Sequence, residues 1–404
     1  MKQRIIIVTK FYYRRGGDCV CALNLEKLLR ERGHEVAVFA MRYPENLPSE
    51  WESYWPEEVD FGGPLKSKLA ALKRTMGLGD VADKFKRLLK DFRPDVVHLH
   101  NIHSYLSPVV AKLAKKYGAR VVWTLHDYKL LCPSYSCLRN GEVCELCFND
   151  KKKVLSTRCM KGSLAASALA YMEALRWNAK RLQSYTDLFI CPSEFMASKM
   201  KQGGFAPGKL AVLCNFIAPE MLEKRSVVSE DARGDYYCYI GRLSEEKGVR
   251  ALLEAASRLP MTLKVAGSGP LDAELRGTYA GKTNIEFLGQ LSSDGVRDLL
   301  AHAKFSVMPS ECYENNPLGV IESLCMGTPV VGAEIGGIPE LIDNPGSGAE
   351  FKSGSVDDLV SKISEMWSGK FDYATIADNS CAVFGADRYY ISLLDKINIL
   401  GGGK

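Results

Sequence analysis

PSECYENNPLGVIESLCMGT, residues 309–328, decides how the chain is read. The apolar run Phe305–Met308 just before it has the composition of a strand. Asn316 stands where a helix N-cap belongs, Pro317 where a first helical residue belongs, and Gly327 where a helix stops. The segment therefore reads strand, loop, helix. Glu314 falls in the loop and Glu322, eight positions on, falls in the helix. Between them the helix start offers backbone N–H groups and the positive end of a dipole, which suits phosphate. A ligand with hydroxyls at both ends and phosphate between them, such as a sugar nucleotide, matches that order of groups.

Outward from this segment, strands and helices alternate twice over. Strands are expected at Arg4–Thr9, Glu35–Ala40, Asp95–His100, Arg120–Leu125, Asp187–Cys191 and Leu210–Cys214. They resume at Tyr236–Ile240, Thr262–Ala266, Asn284–Leu288, Lys304–Met308 and Pro329–Gly332. Helical spacing fills the gaps, with the longest helix expected over Ser163–Gln183. The fold class is α/β: two open parallel sheets, each covered by helices and each with its own core. Ala218–Gly234 has no period and reads as a linker. The expected domains are 1–217, with a cysteine-bearing insert at 130–162, and 235–383. A helical segment, 384–404, closes the chain. In open parallel sheets, ligands bind outside the carboxyl ends of the strands.

Composition bounds the function. The chain has 404 residues, 46% hydrophobic and 25% charged, which is ordinary for a globular protein of two domains. No apolar run approaches the ~20 residues that span a bilayer. Ile5–Val8, followed by Lys10, is too short for a signal segment, so a cytoplasmic location and reduced cysteines are expected. Residues 1–200 hold 33 Lys and Arg against 21 Asp and Glu, net +12; the remainder holds 20 against 27, net −7. A basic first half points to an anionic partner such as a membrane surface or a lipid pyrophosphate, against the alternative of a merely solvated basic face. Leu65, Leu69, Leu72 and Met76 have helical spacing among lysines, as in an interfacial helix or an ordinary solvated one. No nucleic-acid-binding module is recognisable, so no nucleic-acid partner is expected.

Further motifs lie at strand ends. Gly241-Arg242-Leu243-Ser244-Glu245-Glu246-Lys247-Gly248 follows a strand, and its two cations are spaced so that one loop aims both at phosphate. Gly267-Ser268-Gly269-Pro270 opens a helix, but Asp272 breaks the dinucleotide fingerprint. Gly16 and Gly17 sit in the first strand-to-helix loop, where a plain turn or a close ligand approach both suit glycine. His126 and Asp127 end a strand. His98, His100 and His103 alternate with no carboxylate or cysteine beside them, and no metal is expected there. Cys144-x2-Cys147 has knuckle spacing. Cys132 or Cys137 together with Cys159 completes four thiolates for a structural zinc, with reduced thiols packing a loop as the alternative.

The stretch from Glu314 to Glu322 resembles the Glu-x7-Glu motif of retaining GT-B glycosyltransferases of family 4. Pro317 replaces the glycine that many members carry three residues after the first glutamate, and a glycine stands at 319. Gly241–Gly248 resembles the diphosphate clamp of the same family, and the likeness runs along nearly the whole chain. It implies two Rossmann-like domains facing each other across a cleft, with the terminal helix returning to the first. It implies Arg242 and Lys247 on the leaving phosphates, Glu322 on the ribose and Glu314 on the donor sugar. Asn316, Pro317 and Leu318 would form the helix start at the phosphates. Gly267 and Gly269 would line the nucleoside pocket, Gly289 would meet the base, Gly16 and Gly17 would approach the phosphates, and His126 would touch the sugar. The implied activity is a retaining, metal-independent hexosyl transfer that requires no cofactor. The sugar would move from a nucleoside diphosphate sugar to a hydroxyl, in particular that of a lipid-linked glycan in surface polysaccharide synthesis at the inner membrane face. A GT-B epimerase and a silent partner subunit are the competing implications.

Overall fold

The computed structural model describes residues 2–223, 225, 227–344 and 346–399. The strands are β1 (Arg4–Val8), β2 (Glu35–Phe39), β3 (Val96–Leu99), β4 (Arg120–Thr124), the hairpin β5 (Leu138–Arg139) and β6 (Glu142–Val143), β7 (Leu188–Cys191) and β8 (Leu210–Val212). They continue as β9 (Tyr236–Ile240), β10 (Thr262–Ala266), β11 (Ile285–Gly289), β12 (Ser306–Met308), β13 (Val330–Ala333) and β14 (Gly348–Phe351). Two six-stranded sheets form, in the orders β2-β1-β3-β4-β7-β8 and β11-β10-β9-β12-β13-β14. Among the described residues every strand pairing within them is parallel. Two compact units divide the chain: 1–137 with 144–213 and 390–404, and 138–143 with 214–389.

Parallel strands covered on both faces must be apolar on both faces, so they carry unbroken apolar runs. Ile5–Val8, Val36–Phe39, Val96–Val97 and Val121–Trp123 are all buried. Helix Gly17–Glu31 covers the first sheet with Cys19, Ala22, Leu25, Leu28 and Leu29, spaced to share one face. In the second unit Tyr237 stacks on Phe305 at 5.2 Å, and Trp367 meets both rings edge-on.

Each expected strand is present within about two residues. The sequence reading missed β14, whose GAEF composition has little strand character, and the hairpin β5–β6. The helix expected over 163–183 is two, Leu164–Arg176 and Ala179–Tyr185, because Asn178 accepts the Arg181 N–H and so caps the second. The stretch expected as a linker lies inside the second unit. It carries helix Pro219–Glu223 and a buried Arg233. The closing segment expected from residue 384 holds one helix, Ala386–Ile399, parted at Gly385 from the helix before it, Tyr373–Phe384. From Tyr390 onward the last helix belongs to the first unit. There the Tyr390 hydroxyl lies 2.7 Å from His34 Nε2, and Arg120 Nη1 donates to the Ile397 carbonyl at 3.2 Å. Residues 400–404 of the expected segment lie outside the described residues.

Helix Leu65–Thr75 buries Ala71, Arg74 and Thr75, while Leu69 stays 51% exposed. Leu72 and Met76 of the same stripe are half-buried, and the side chain of Leu65 lies outside the described set. No helix among the described residues is long and apolar enough to cross a membrane.

Arg233 shows how the second unit is tied together without an ion pair. Its guanidinium donates to the Ala303 carbonyl, to Thr328 Oγ1 at 2.7 Å and to the Met326 carbonyl at 3.4 Å. It also lies 3.7 Å from the Tyr373 ring centroid. Burial lowers its pKa to about 10. Arg233→Leu leaves those acceptors unsatisfied and is expected to lower the unfolding free energy by about 2–4 kcal/mol, measured by urea unfolding.

Candidate functional site

In the second sheet the strand order reverses between β9 and β12. The connections leaving their carboxyl ends therefore run to opposite sides of the sheet there, the place where open parallel sheets take ligands. The loop after β9 carries Arg242 and Lys247; the loop after β12 carries Ser310 and Glu314. Lys247 Nζ lies 2.6 Å from Glu314 Oε1, and Ser310 Oγ donates to the same oxygen at 2.7 Å. Burial disfavours the Lys247 ammonium, but Glu314, Cys312 and Glu246 outweigh it, and its pKa sits above the ordinary lysine value. Arg242 is exposed, and its guanidinium has no partner among the described residues. The Arg242 carbonyl accepts from the Tyr239 hydroxyl at 2.9 Å, which fixes the loop's backbone while the side chain stays available.

Backbone packing holds these loops in register. Gly248 has φ +66°, and a Cβ there would lie 1.8 Å from the Pro309 carbonyl oxygen. Gly267 has φ +133°, and its Cβ would lie 1.9 Å from the Gly241 carbonyl oxygen. A Cβ on Gly269 would come within 2.3 Å of the Leu243 oxygen. Leu243 N–H donates to the Ser268 carbonyl at 3.0 Å, and Gly267 N–H to the Gly289 carbonyl at 2.7 Å. Gly267 and Gly269, expected at the nucleoside, thus have a packing task in the protein itself, and Gly289 is part of the same ladder.

Two details of the Glu314–Glu322 segment differ from the sequence reading. The helix is Leu318–Cys325, with Pro317 at the N-cap position and not at the first helical residue. Asn316 is not its N-cap. Asn316 Oδ1 accepts the Asn215 N–H at 2.9 Å and the Cys214 thiol at 3.1 Å, and its carbonyl accepts from Asn215 Nδ2 at 2.9 Å. At 6% exposure Asn316 is a clamp between chain segments. Val320 N–H bonds back to the Pro317 carbonyl, so the N–H groups of Leu318 and Gly319 are those left at the helix start. Glu322 is half-buried on this helix.

In the first sheet the order reverses between β1 and β3, and polar residues gather at those strand ends. Asn101 Nδ2 donates to Asp18 Oδ2 at 2.7 Å, and Lys10 Nζ lies 3.6 Å from that oxygen. Burial opposes charge on Asp18, but Lys10, His126 and the Asn101 amide hold its carboxyl below the ordinary range. At the end of β4, His126 Nε2 lies 2.9 Å from His100 Nδ1, with the rings stacked at 5.2 Å. Burial lowers the pKa of His126 against the pull of Asp18 and Asp127, and raises that of Asp127 against the Lys129 N–H. Gly16 is extended, with φ −165°, and a Cβ on Gly17 would meet nothing within 4 Å, so neither position demands glycine for the fold. Lys10, Asp18, His100, Asn101 and Ser310 escaped the site reading; their signal is position, close behind the two strands that flank each reversal.

The cysteines of the 130–162 insert do gather. Cys132 hydrogen-bonds Cys137, which holds its thiol well below the usual range against the effect of burial. Cys132 Sγ also lies 3.1 Å from Ser134 Oγ, and Cys159 Sγ 2.8 Å from Thr157 Oγ1. Cys147 packs with Val154 and Ala170 in a small apolar cluster. Cys144 N–H bonds the Cys137 carbonyl at 2.7 Å across the hairpin base. Among the described residues no group of three or more His, Cys, Asp or Glu is arranged to hold a metal ion; Cys132, Cys144, Cys147 and Cys159 are the residues expected at a structural zinc.

Residues 15–221 match the family model described as Glycosyltransferase Family 4, and residues 234–368 match that of Glycosyl transferases group 1. The chain is 27% identical over 357 residues to an uncharacterized 42.6 kDa protein in the cps region of Klebsiella pneumoniae, covering 83% of this chain and 87% of that one. It is 27% identical over 203 residues to a putative colanic acid biosynthesis glycosyltransferase, WcaL, of Salmonella typhimurium, covering 47% and 49%. Among solved structures, Anabaena Alr3699/HepE in complex with UDP and glucose superposes with a TM-score of 0.68 at 15% identity, covering 98% and 99%. That likeness shows the fold.

Two glycine substitutions separate packing from ligand approach. Gly267→Ala forces a Cβ onto a carbonyl at an unfavourable φ and is expected to destabilise by about 2 kcal/mol or more. Gly17→Ala is expected to leave stability within about 1 kcal/mol of wild type. Thermal melts check both, and any loss of ligand binding in Gly17→Ala then reports close approach of a ligand.

Proposed function

This chain belongs to the family 4 glycosyltransferases, of GT-B fold, and from that premise we propose that it moves a sugar from a nucleoside diphosphate sugar to a hydroxyl group with retention of anomeric configuration. The observation that carries the reading is the crevice between β9 and β12: an unpaired Arg242, a Lys247 held by Glu314, and a helix start with N–H groups at Leu318 and Gly319. Together they form a preorganised positive site, which stabilises a departing diphosphate as an oxocarbenium-like centre develops.

In this reading Arg242 forks onto the leaving phosphates, and Lys247 adds a second positive charge. Glu314, which holds Lys247 in the free protein, accepts hydroxyls of the donor sugar, and Glu322 accepts those of the ribose. Pro317 stands at the start of the helix, and Asn316 seats the loop before it on Cys214 and Asn215. His126 contacts the sugar, and Gly16 and Gly17 let the first loop approach the phosphates. Positive side chains and N–H groups supply the charge stabilisation, so the proposed step calls for no divalent ion.

The acceptor proposed is a lipid-linked glycan intermediate of surface polysaccharide synthesis. The colanic acid assignment of the Salmonella relative and the net charge of +12 in residues 1–200 support it. The exposed Leu69 among lysines and the exposed Leu164, Met172 and Leu175 on helix Leu164–Arg176 suit an anionic membrane surface. Vesicles of anionic lipid at low salt should sediment the chain, and failure to do so would remove the membrane part of the reading.

The main test is a thermal-shift screen of the full chain with UDP, GDP, ADP and their sugar conjugates. A true ligand at about 100 times its Kd stabilises by ~2.7 kcal/mol. Arg242→Ala is expected to raise the Kd about 10- to 100-fold, the loss of a charge-assisted phosphate contact, with a similar direction for Lys247→Ala. If no nucleotide shifts the melt, or if both variants respond like wild type, the phosphate clamp is wrong. Proton NMR of the first product reads its anomeric configuration, and conversion of donor without acceptor would point to an epimerase.

A further inference from the structure

His100 has no part in the reading above, yet it is 1% exposed and holds His126 at 2.9 Å. The contact joins His100 Nδ1 to His126 Nε2. The other ring nitrogen of His100, Nε2, is buried with no hydrogen-bond partner among the described residues. Below the pair, His98 stacks on His100 at 4.8 Å and is itself tied to Thr124 Oγ1 at 2.8 Å. The His100 backbone is fixed as well, its N–H donating to the Val8 carbonyl at 2.9 Å. The backbone that carries the ring is therefore fixed, and among the described residues only one of its nitrogens has a partner.

A neutral imidazole carries one N–H, so the pair has two arrangements. In one, His126 Nε2–H donates to a bare His100 Nδ1, and the proton of His100 sits on Nε2, buried without an acceptor. In the other, His100 Nδ1–H donates to a bare His126 Nε2, and His100 Nε2 is an unprotonated lone pair in an apolar setting. Orphaned buried N–H groups are rarer than under-satisfied acceptors, which favours the second arrangement. Burial lowers both pKa values, helped by His98 and His126 at His100 and by Lys10 at His126, so both rings are neutral. The charged groups facing His126 are Asp18 on helix Gly17–Glu31, Lys10 after β1 and Asp127 beside it.

We propose that His100 is a positioning residue which, through Nδ1–H, fixes His126 as the Nδ1–H tautomer, so that His126 meets its ligand as a hydrogen-bond donor. His126 Nε2 is occupied by His100 and does not serve as a base. Nδ1–H is left to donate to an oxygen, and in the transfer proposed above, on which this assignment of a ligand rests, that oxygen belongs to the donor sugar. That one hydrogen bond, with the ring stacking, also sets the plane of the His126 ring.

The tautomer is read without any ligand. Long-range proton–nitrogen correlation spectra of the full chain labelled at its six histidines, with His126 assigned by His126→Gln, report which ring nitrogen is protonated. The expected result is a protonated Nδ1 and an unprotonated Nε2 for His126. His100→Asn, whose amide N–H replaces the Nδ1 donor, should keep that pattern. His100→Leu should lose it, giving a mixture of tautomers. A protonated Nε2 in the wild type overturns the proposal, as does an unchanged His126 signal in His100→Leu. For a sugar nucleotide that shifts the wild-type melt, His100→Leu is expected to weaken binding or turnover about tenfold while His100→Asn stays within about threefold. Equal losses in both overturn the positioning role. Clamp variants that bind the sugar nucleotide as tightly as wild type overturn the transfer reading and leave the spectroscopic result to decide the tautomer.

Discussion

Backbone approaches backbone in the second unit more closely than any side chain allows. The carbonyls of Gly241, Leu243 and Pro309 occupy the space where Cβ atoms of Gly267, Gly269 and Gly248 would be. This exclusion of Cβ sets the position of the loops after β9, β10 and β12, and everything chemical in that unit rides on them. Arg242 and Lys247 are carried by one loop and Glu314 by another, so a contact of 2.6 Å between Lys247 and Glu314 depends on the loops being pressed together. Removing side chains at three positions is what lets charged ones meet at a fourth.

The two units handle charge differently. At the reversal of the second sheet, one cation is paired and the other is open, with helix N–H groups beside them. The fold itself holds that positive charge in place, with no ligand needed to assemble it. At the reversal of the first sheet, charge is largely suppressed. Asp18 is satisfied by Lys10 and Asn101, while burial keeps His98 and His103 neutral, lowering both pKa values to about 3. Neutral histidines in contact act through where their protons sit, not through net charge.

Much of the fold was legible because parallel strands buried on both faces cannot hide their composition. Arg4–Val8 and Tyr236–Ile240 are apolar runs bounded by polar residues, and no other element fits them. β14 was illegible for the opposite reason: Gly348, Ala349 and Glu350 have little strand preference, and the segment is a strand because β13 offers an open edge. The break at Asn178 was missed because a capping residue inside an apolar period is silent until its partner, the Arg181 N–H, is placed. Asn316 was misjudged as a cap for a related reason. Its neighbours in sequence make it an ideal N-cap, but Asn215, about a hundred residues away, competes for the same oxygen and wins.

The sequence by itself determined two parallel sheets, the alternation that builds them, and a glutamate pair with a phosphate-suited helix start between, since each of these is a local pattern of residue types. Tertiary structure alone decided which groups meet. The ion pair of Lys247 with Glu314, the seat of Asn316 on residues 214–215, the gathering of Lys10, Asp18 and Asn101, and the shared proton of His100 and His126 all join residues tens to a hundred positions apart. Their distances follow from strand order and loop packing, and strand order is fixed by the whole core at once, not by any stretch that can be read alone.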